Sequence, residues 1–288
     1  MFCAIDVKKS DSLDDIVTLL RKDGIVVVKN YLSHKSVEEI TREFYKAFQM
    51  QDPGIVMQHA HPVNEEGKVV RLKREKLSTE YNNIKNIFGS EYMERILHNY
   101  YAPNNYLLND DVFLTHEKAS EKNILPWHFD RQQSLKFLIY LTDTDEKNGA
   151  FEYCRGSHME GHYRANYYVL RGYGVKNIPN DIPDEEIRNP EIISANAGDL
   201  IIFDADGFHR GGVVSQGNQR LVVRGHSHPL PNRGYQARLF SKEWWMQTPL
   251  NLGKTIGSQV GRVLGDNSRS RASKTREDVY KEIQPKND

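Results

Sequence analysis

Cysteine is nearly absent from this sequence: Cys3 and Cys154 are the only two in 288 residues. Two distant cysteines do not make a disulfide framework, so the composition points to a reducing compartment. Long apolar runs are missing as well. No stretch approaches the roughly 18 apolar residues of a membrane-spanning helix. The opening residues, MFCAIDVKK, lack the apolar core of a secretory signal. A soluble cytoplasmic protein with no transmembrane segment is the expectation. Nor is there an excess of one charge. Lys plus Arg and Asp plus Glu number 39 each, which argues against a nucleic-acid partner. No internal repeat or low-complexity tract is visible. Hydrophobic residues make up only 38%, but 15 Tyr and 11 Phe supply core volume in a chain long enough for one large domain or two small ones.

What is present reads as two early helices followed by many short strands. Leu13, Ile16, Val17 and Leu20 fall on one face of a helix over 11–23, with Ser12 and Asp15 as its N-terminal signal and Gly24 as its stop. Ile25 to Val28 is a β-branched run and predicts a buried strand. A second helix is expected from a Ser36–Glu39 capping box, with Val37, Ile40, Phe44 and Phe48 as its apolar face and an end before Pro53. Residues 52–76 read as loops around one short strand. The His59–His61 pair there could bind metal, but a solvated polar loop is the plainer account. Helical character over 78–98 is interrupted at Gly89, and 106–117 reads as one strand. Residues 135–141 and 150–154 read as strands joined by a turn ending in Asn148-Gly149, a hairpin signal. Residues 159–190 show no periodicity and predict an irregular wall or lid. Strands at 200–204 and 219–228 complete the pattern.

This arrangement predicts a mainly β fold with flanking helices, a jelly-roll barrel. Composition shifts near residue 241. Trp244 and Trp245 precede apolar residues spread among four Gly over 249–265, and 266–288 is charged. The expected division is a domain over 1–240 and, over 241–288, a helical extension with a partly mobile tail. A membrane-surface or partner-binding segment is the alternative for that extension.

The chemistry centres on Pro126-Trp127-His128-Phe129-Asp130-Arg131-Gln132. On an extended segment, side chains two apart share a face, so His128 and Asp130 form half of a metal site. Two His and one carboxylate make the facial ligand set of non-haem Fe(II) oxygenases, although the ligand list alone also admits Mn, Co or Zn. His209 is the candidate second histidine. It follows an apolar strand and a turn, Asp204-Ala205-Asp206-Gly207-Phe208, and Arg220 comes eleven residues later. A His with an Arg one strand further on suits joint binding of Fe(II) and a dicarboxylate.

With these motifs, the Asn148-Gly149-Ala150 and Gly156-Ser157-His158 segments, and Gly198-Asp199, the sequence resembles the phytanoyl-CoA dioxygenase family over about residues 105–228. The resemblance implies a double-stranded β-helix (cupin-like) and an Fe(II)- and 2-oxoglutarate-dependent dioxygenase that uses O2 and releases succinate and CO2. It implies His128, Asp130 and His209 as catalytic metal ligands and Arg220 as the grip on the distal carboxylate of 2-oxoglutarate. Thr115 is the match for the family's second cosubstrate contact. His226 and His228, beyond Arg220, fall outside the family order for a ligand. The Gly-Ser-His turn is structural in the family, and Cys154-Arg155 just before it departs from the usual apolar residue and Pro.

The expected outcome is hydroxylation of a polar small molecule. Related halogenases replace the carboxylate ligand with a smaller residue, which Asp130 argues against. Desaturation, epimerisation or ring closure would use the same ligands, and a non-catalytic jelly-roll binding protein is the rival from another class. Oligomeric state is left open. Strand alternation places Arg224 and His226 on the face of Arg220, and Gln132 on that of His128, with Arg131 on the neighbouring face, Lys136 one short strand further on and Arg155 near the rim. These form a candidate substrate-binding set for an anionic substrate. The alternative is that the cations pair with Asp204, Asp206 or Glu152.

Overall fold

The computed structural model describes residues 5–60, 67–121, 123 and 125–233. Its strands and helices, in chain order, are β1 (Asp6–Lys8), α1 (Leu13–Asp23), β2 (Ile25–Lys29), α2 (His34–Gln49), β3 (Val56–Ala60), β4 (Lys68–Lys73), α3 (Asn82–Asn86), α4 (Glu91–Tyr101), β5 (Asn105–Leu108), β6 (Asp111–Lys118), β7 (Leu135–Tyr140), β8 (Phe151–Cys154), α5 (His158–Leu170), β9 (Pro190–Ile193), β10 (Leu200–Asp204), β11 (His209–Gly211) and β12 (Gln219–Leu230). The larger sheet runs β1-β2-β10-β7-β12-β6-β4-β3, with β5 also on β12, and the smaller runs β11-β8-β9. Among the described residues no helix is long and apolar enough to cross a membrane.

Strand alternation explains why the central strands are apolar throughout. Val26, Val28, Phe137, Ile139, Leu200 and Ile202 point to one face of the large sheet and pack in one core with Ile16, Leu20, Ile40 and Phe44 of the helices. Their neighbours Ile25, Val27, Leu138, Tyr140, Ile201 and Phe203 point the other way and pack with Phe151, Tyr153 and Ile193 of the small sheet. The sheet is therefore covered on both faces, and its strands read as continuous apolar runs. The face toward the small sheet encloses the barrel interior. A third, smaller core gathers Trp127, Phe129, Ala165, Val169, Ile182 and Phe208 under α5.

Several local expectations need correction. Ser12 makes no capping bond with its side chain, although Gly24 does end α1 in the left-handed region at φ 77°. Helix α2 begins earlier than expected: Ser33 caps it, its hydroxyl accepting from Ser36 N at 3.2 Å. Residues 52–76 contain two strands, and β4 pairs with both β3 and β6 to extend the large sheet. The expected single strand at 106–117 is two. Asn109 Oδ1 accepts from Asp111 N at 2.8 Å and makes the break. The Asn148-Gly149 turn does not close a hairpin. β7 already has β10 and β12 on its two edges, so the chain crosses to the small sheet, where β8 pairs with β9 and β11. The irregular segment expected at 159–190 begins with helix α5. Its buried side is His158, Gly161, Ala165 and Val169, too small and polar to register as a hydrophobic stripe. His61, the boundary at 240 and the 241–288 extension lie outside the described residues.

Gly161 lets α5 approach the turn before β11. A Cβ there would lie 1.8 Å from the carbonyl oxygen of Asp206. Gly161→Ala should therefore lower stability by about 1–3 kcal/mol, the cost of overpacking. Urea unfolding followed by circular dichroism checks this, and an unchanged midpoint would mean that the helix simply shifts.

Candidate metal and cosubstrate site

Two histidines meet through the backbone before their side chains are considered. His209 N donates to His128 O at 2.8 Å, and His128 N donates to His209 O at 3.1 Å. This is the narrow, doubly bonded pair of an antiparallel ladder, and residues opposed in such a pair project side by side. The imidazole centroids are 4.4 Å apart. Asp130 N then donates to Ala205 O at 2.7 Å, so the third residue is set against the same turn.

The side chains complete the arrangement. His128 Nδ1 lies 2.9 Å from Pro126 O, and His209 Nδ1 2.7 Å from Gly207 O. A carbonyl only accepts, so each Nδ1 carries the ring proton and each Nε2 keeps its lone pair. Both Nε2 atoms lie 3.9 Å from Asp130 Oδ1. One ligating atom from each residue falls within 4.8 Å of the others. The donors fit a divalent transition metal, and the carbonyl partners are the orienting contacts that metal-bound His requires. Burial pushes the His128 pKa down, and burial with the neighbouring His128 pushes His209 down to about 3, so both rings are neutral near pH 7. Burial alone would raise the Asp130 carboxyl, but Lys136, bonded to Oδ2 at 2.6 Å, and the two histidines hold it below the usual range.

Beside this trio is a cavity of about 320 Å³, at the lower end for small-molecule sites. Inward positions of β12 supply Arg220, Val222, Arg224 and His226, and β6 supplies Phe113, Thr115 and Glu117. Arg220 is buried and bonded through Nε and Nη2 to Glu117 Oε2. Thr115 Oγ1 is buried in the same wall with no hydrogen-bond partner among the described residues. Leu138, Phe151 and Phe203 give the cavity its apolar side.

Of the remaining sequence-predicted residues, Lys136 reaches this cavity and the others do not line it. Gln132 is not among the residues lining this cavity. Lys136 lines it but is bonded to Asp130. Arg131 donates to Ile178 O at 2.8 Å. Arg155 pairs with Asp23 at 3.1 Å and Glu191 at 3.2 Å, away from the rim. The carboxylates suggested as partners are engaged by other groups. Glu152 is held by Arg210, Asp204 by the Tyr100 hydroxyl at 2.5 Å, and Asp206 by Arg233. Burial, with Asp206 nearby, pushes Asp204 up to about 7.

Sequence reasoning missed two residues behind the site. Arg233 is 1% exposed and makes a bidentate pair with Asp206, Nη1 to Oδ1 at 2.8 Å and Nη2 to Oδ2 at 2.6 Å. Nη1 also reaches Arg131 O at 3.3 Å. One guanidinium thus ties the loop bearing Asp130 to the turn before His209. No local pattern marks Arg233. Glu117, by contrast, shares the strand face of Thr115 by alternation and was legible. The Gly-Ser-His segment supports the same turn, since Ser157 Oγ accepts from Phe208 N at 2.7 Å.

Arg233→Ala would strip the buried Asp206 carboxylate of its bidentate partner and leave it the His162 ring, Nδ1 to Oδ2 at 2.9 Å, so stability should fall by up to about 3–5 kcal/mol. The double variant Arg233→Met with Asp206→Asn should recover much of that loss. Chemical denaturation measures both. Equal loss in single and double variants would mean that the pair is not the cause.

The family model of phytanoyl-CoA dioxygenase (PhyH) matches residues 20–221. No curated protein sequence matches. Among solved structures, the fold is similar to the non-heme alpha ketoglutarate dependent epimerase SnoN from nogalamycin biosynthesis, with TM-score 0.54 and 16% identity over 75% of this chain and 81% of that one. It is also similar to HygX from Streptomyces hygroscopicus with nickel, 2-oxoglutarate and hygromycin B bound, with TM-score 0.52 and 13% identity over 74% of this chain and 86% of that one. AviO1 from Streptomyces viridochromogenes Tue57 gives TM-score 0.51 and 16% identity over 75% and 95%. At these identities the structures speak to fold, and the family model, matching most of the chain, assigns membership: the chain belongs to the phytanoyl-CoA dioxygenase family of iron- and 2-oxoglutarate-dependent oxygenases.

Proposed function

We propose that this chain hydroxylates a polar small molecule, with His128, Asp130 and His209 holding Fe(II) and Arg220 with Thr115 holding 2-oxoglutarate. The observation that carries the reading is the trio itself. Two imidazole lone pairs and one carboxylate oxygen converge, each held by a partner behind it. The bound iron would couple the oxidative decarboxylation of 2-oxoglutarate by O2, giving succinate and CO2, to insertion of one oxygen atom into a substrate C–H bond.

The chain's residues position and exclude. The Nδ1–carbonyl bonds hold each imidazole in the tautomer that presents Nε2 inward. Lys136 occupies Asp130 Oδ2 and leaves Oδ1 facing the histidines. Arg220 offers a planar donor fork for a distal carboxylate, and the unpartnered Thr115 hydroxyl adds a donor. Leu138, Phe151, Phe203 and Val222 keep the adjoining wall apolar. Polar substrate chemistry is supported by the donors at the other end of the cavity, Arg224 and His226.

Alanine at His128, Asp130 or His209 should abolish turnover and weaken Fe(II) binding without unfolding the protein, because the bonds joining these segments are made by backbone atoms. Iron content and succinate release measure this. A variant that keeps more than a few per cent of the activity removes its residue from the ligand set.

Arg220→Gln alone would take from the buried Glu117 its guanidinium partner, so the informative variant is Arg220→Gln with Glu117→Gln. Loss of a buried charged grip costs on the order of 2–5 kcal/mol. The KM for 2-oxoglutarate should therefore rise at least about tenfold at unchanged metal content. A smaller rise would point to a different anchor.

A further inference from the structure

Three cationic side chains face the cavity beside the metal trio, and two have carboxylate partners. Arg220 pairs with Glu117, and Lys136 with Asp130. Arg224 has none. Among the described residues it makes no hydrogen bond or ion pair, and its Nε is buried without a partner. Its contact is with the Phe113 ring, whose centroid lies 5.8 Å from the guanidinium carbon. A guanidinium does not give up its proton at ordinary pH. Half-buried without an anion, it is a cost to the fold. Burial weakens its hold on the proton; Glu117 opposes this effect and Arg220 adds to it.

The charges of the proposed cofactors leave that cation unmatched. Fe(II) and dianionic 2-oxoglutarate cancel, and an imidazole that binds a metal through Nε2 with Nδ1 on a backbone carbonyl is neutral. Arg220 and Lys136 cancel Glu117 and Asp130. One positive charge remains, on Arg224. It is four residues beyond Arg220 on the same strand, about 13 Å between α-carbons, so the two guanidiniums mark different positions along the cavity.

A neighbouring donor is fixed as well. Asn109 Oδ1 accepts from Asp111 N at 2.8 Å, which settles the amide's orientation. Its Nδ2 then donates to His226 Nε2 at 2.6 Å. His226 therefore carries its ring proton on Nδ1, and it lines the cavity next to Arg224.

The geometry points to an anion subsite for the substrate: Arg224, backed by Phe113 and flanked by His226, receives one singly charged oxyanion, in the simplest case a carboxylate. This rests on the oxygenase reading above, because the charge balance counts both cofactors as bound.

The test uses the full chain loaded with Ni(II), which does not turn over, and 2-oxoglutarate. Isothermal titration compares benzoate with benzamide and hexanoate with hexanamide. In the wild type each carboxylate should bind at least about tenfold more tightly than its amide, the worth of a charge-assisted bond. In Arg224→Gln that preference should fall below about threefold, and Arg224→Lys should retain part of it. Without ligands, Arg224→Gln should raise the melting temperature by about 2–4 °C, since an unmatched, half-buried charge is gone; an arginine needed for packing would lower it. Absence of a carboxylate preference in the wild type overturns the inference, as does a lowered melting temperature. A tenfold loss of 2-oxoglutarate affinity in Arg224→Gln also overturns it and makes Arg224 the cosubstrate anchor. Failure of the wild type to take up Ni(II) and 2-oxoglutarate overturns the oxygenase reading itself.

Discussion

The site depends on two backbone hydrogen bonds exchanged between His128 and His209. Neither residue is in a long strand. His128 belongs to an isolated bridge, and His209 opens the three-residue strand β11. Yet their peptide groups pair as neighbours in a ladder, and this sets the imidazoles side by side. The next inward residue, Asp130, is fixed by its own backbone bond to Ala205. Since side-chain identity does not enter these bonds, the scaffold defines the site independently of the metal chemistry. Layers beyond it hold this pairing: Ser157 on Phe208, Arg233 on Asp206, and α5 pressed against the turn at Gly161.

The large sheet gives this pairing a rigid base. Its central strands are buried on both faces, with helices behind and the small sheet in front. The polar inward positions break that apolar pattern at chosen places. On β12, Leu221 and Val223 face the helices, while Arg220 and Arg224 face the cavity. On β7, Phe137 and Ile139 face the helices, while Lys136 faces Asp130. Buried charges inside an apolar sandwich are costly unless matched. Their presence therefore marks the functional interior more clearly than the apolar residues around it.

Much of this was legible in the sequence, for physical reasons. The β-branched runs of β2 and β10 can be little else than buried strands. Period two put Arg220, Arg224 and His226 on one face, and it put His128 with Asp130. What failed were inferences that needed tertiary knowledge. Asn148-Gly149 has the residues of a hairpin turn, but β7 had no edge left to pair with β8. Helix α5 hides because Gly161 and Ala165, not large apolar side chains, make its buried face. Arg155 was read as a rim cation because sequence gives no account of which carboxylate lies within reach; it pairs with Asp23 and Glu191. Arg233 could not have been found at all, since its partner Asp206 is 27 residues away and only the folded chain joins them.

The bond between Lys136 and Asp130 has a consequence for how the protein is made. In many small metalloproteins the ligands repel or strand one another until the ion arrives, so folding waits for metal. Here the carboxylate is already neutralised by an ammonium, and the two imidazoles are uncharged and anchored to carbonyls. The ordering of these three side chains therefore does not wait for an ion.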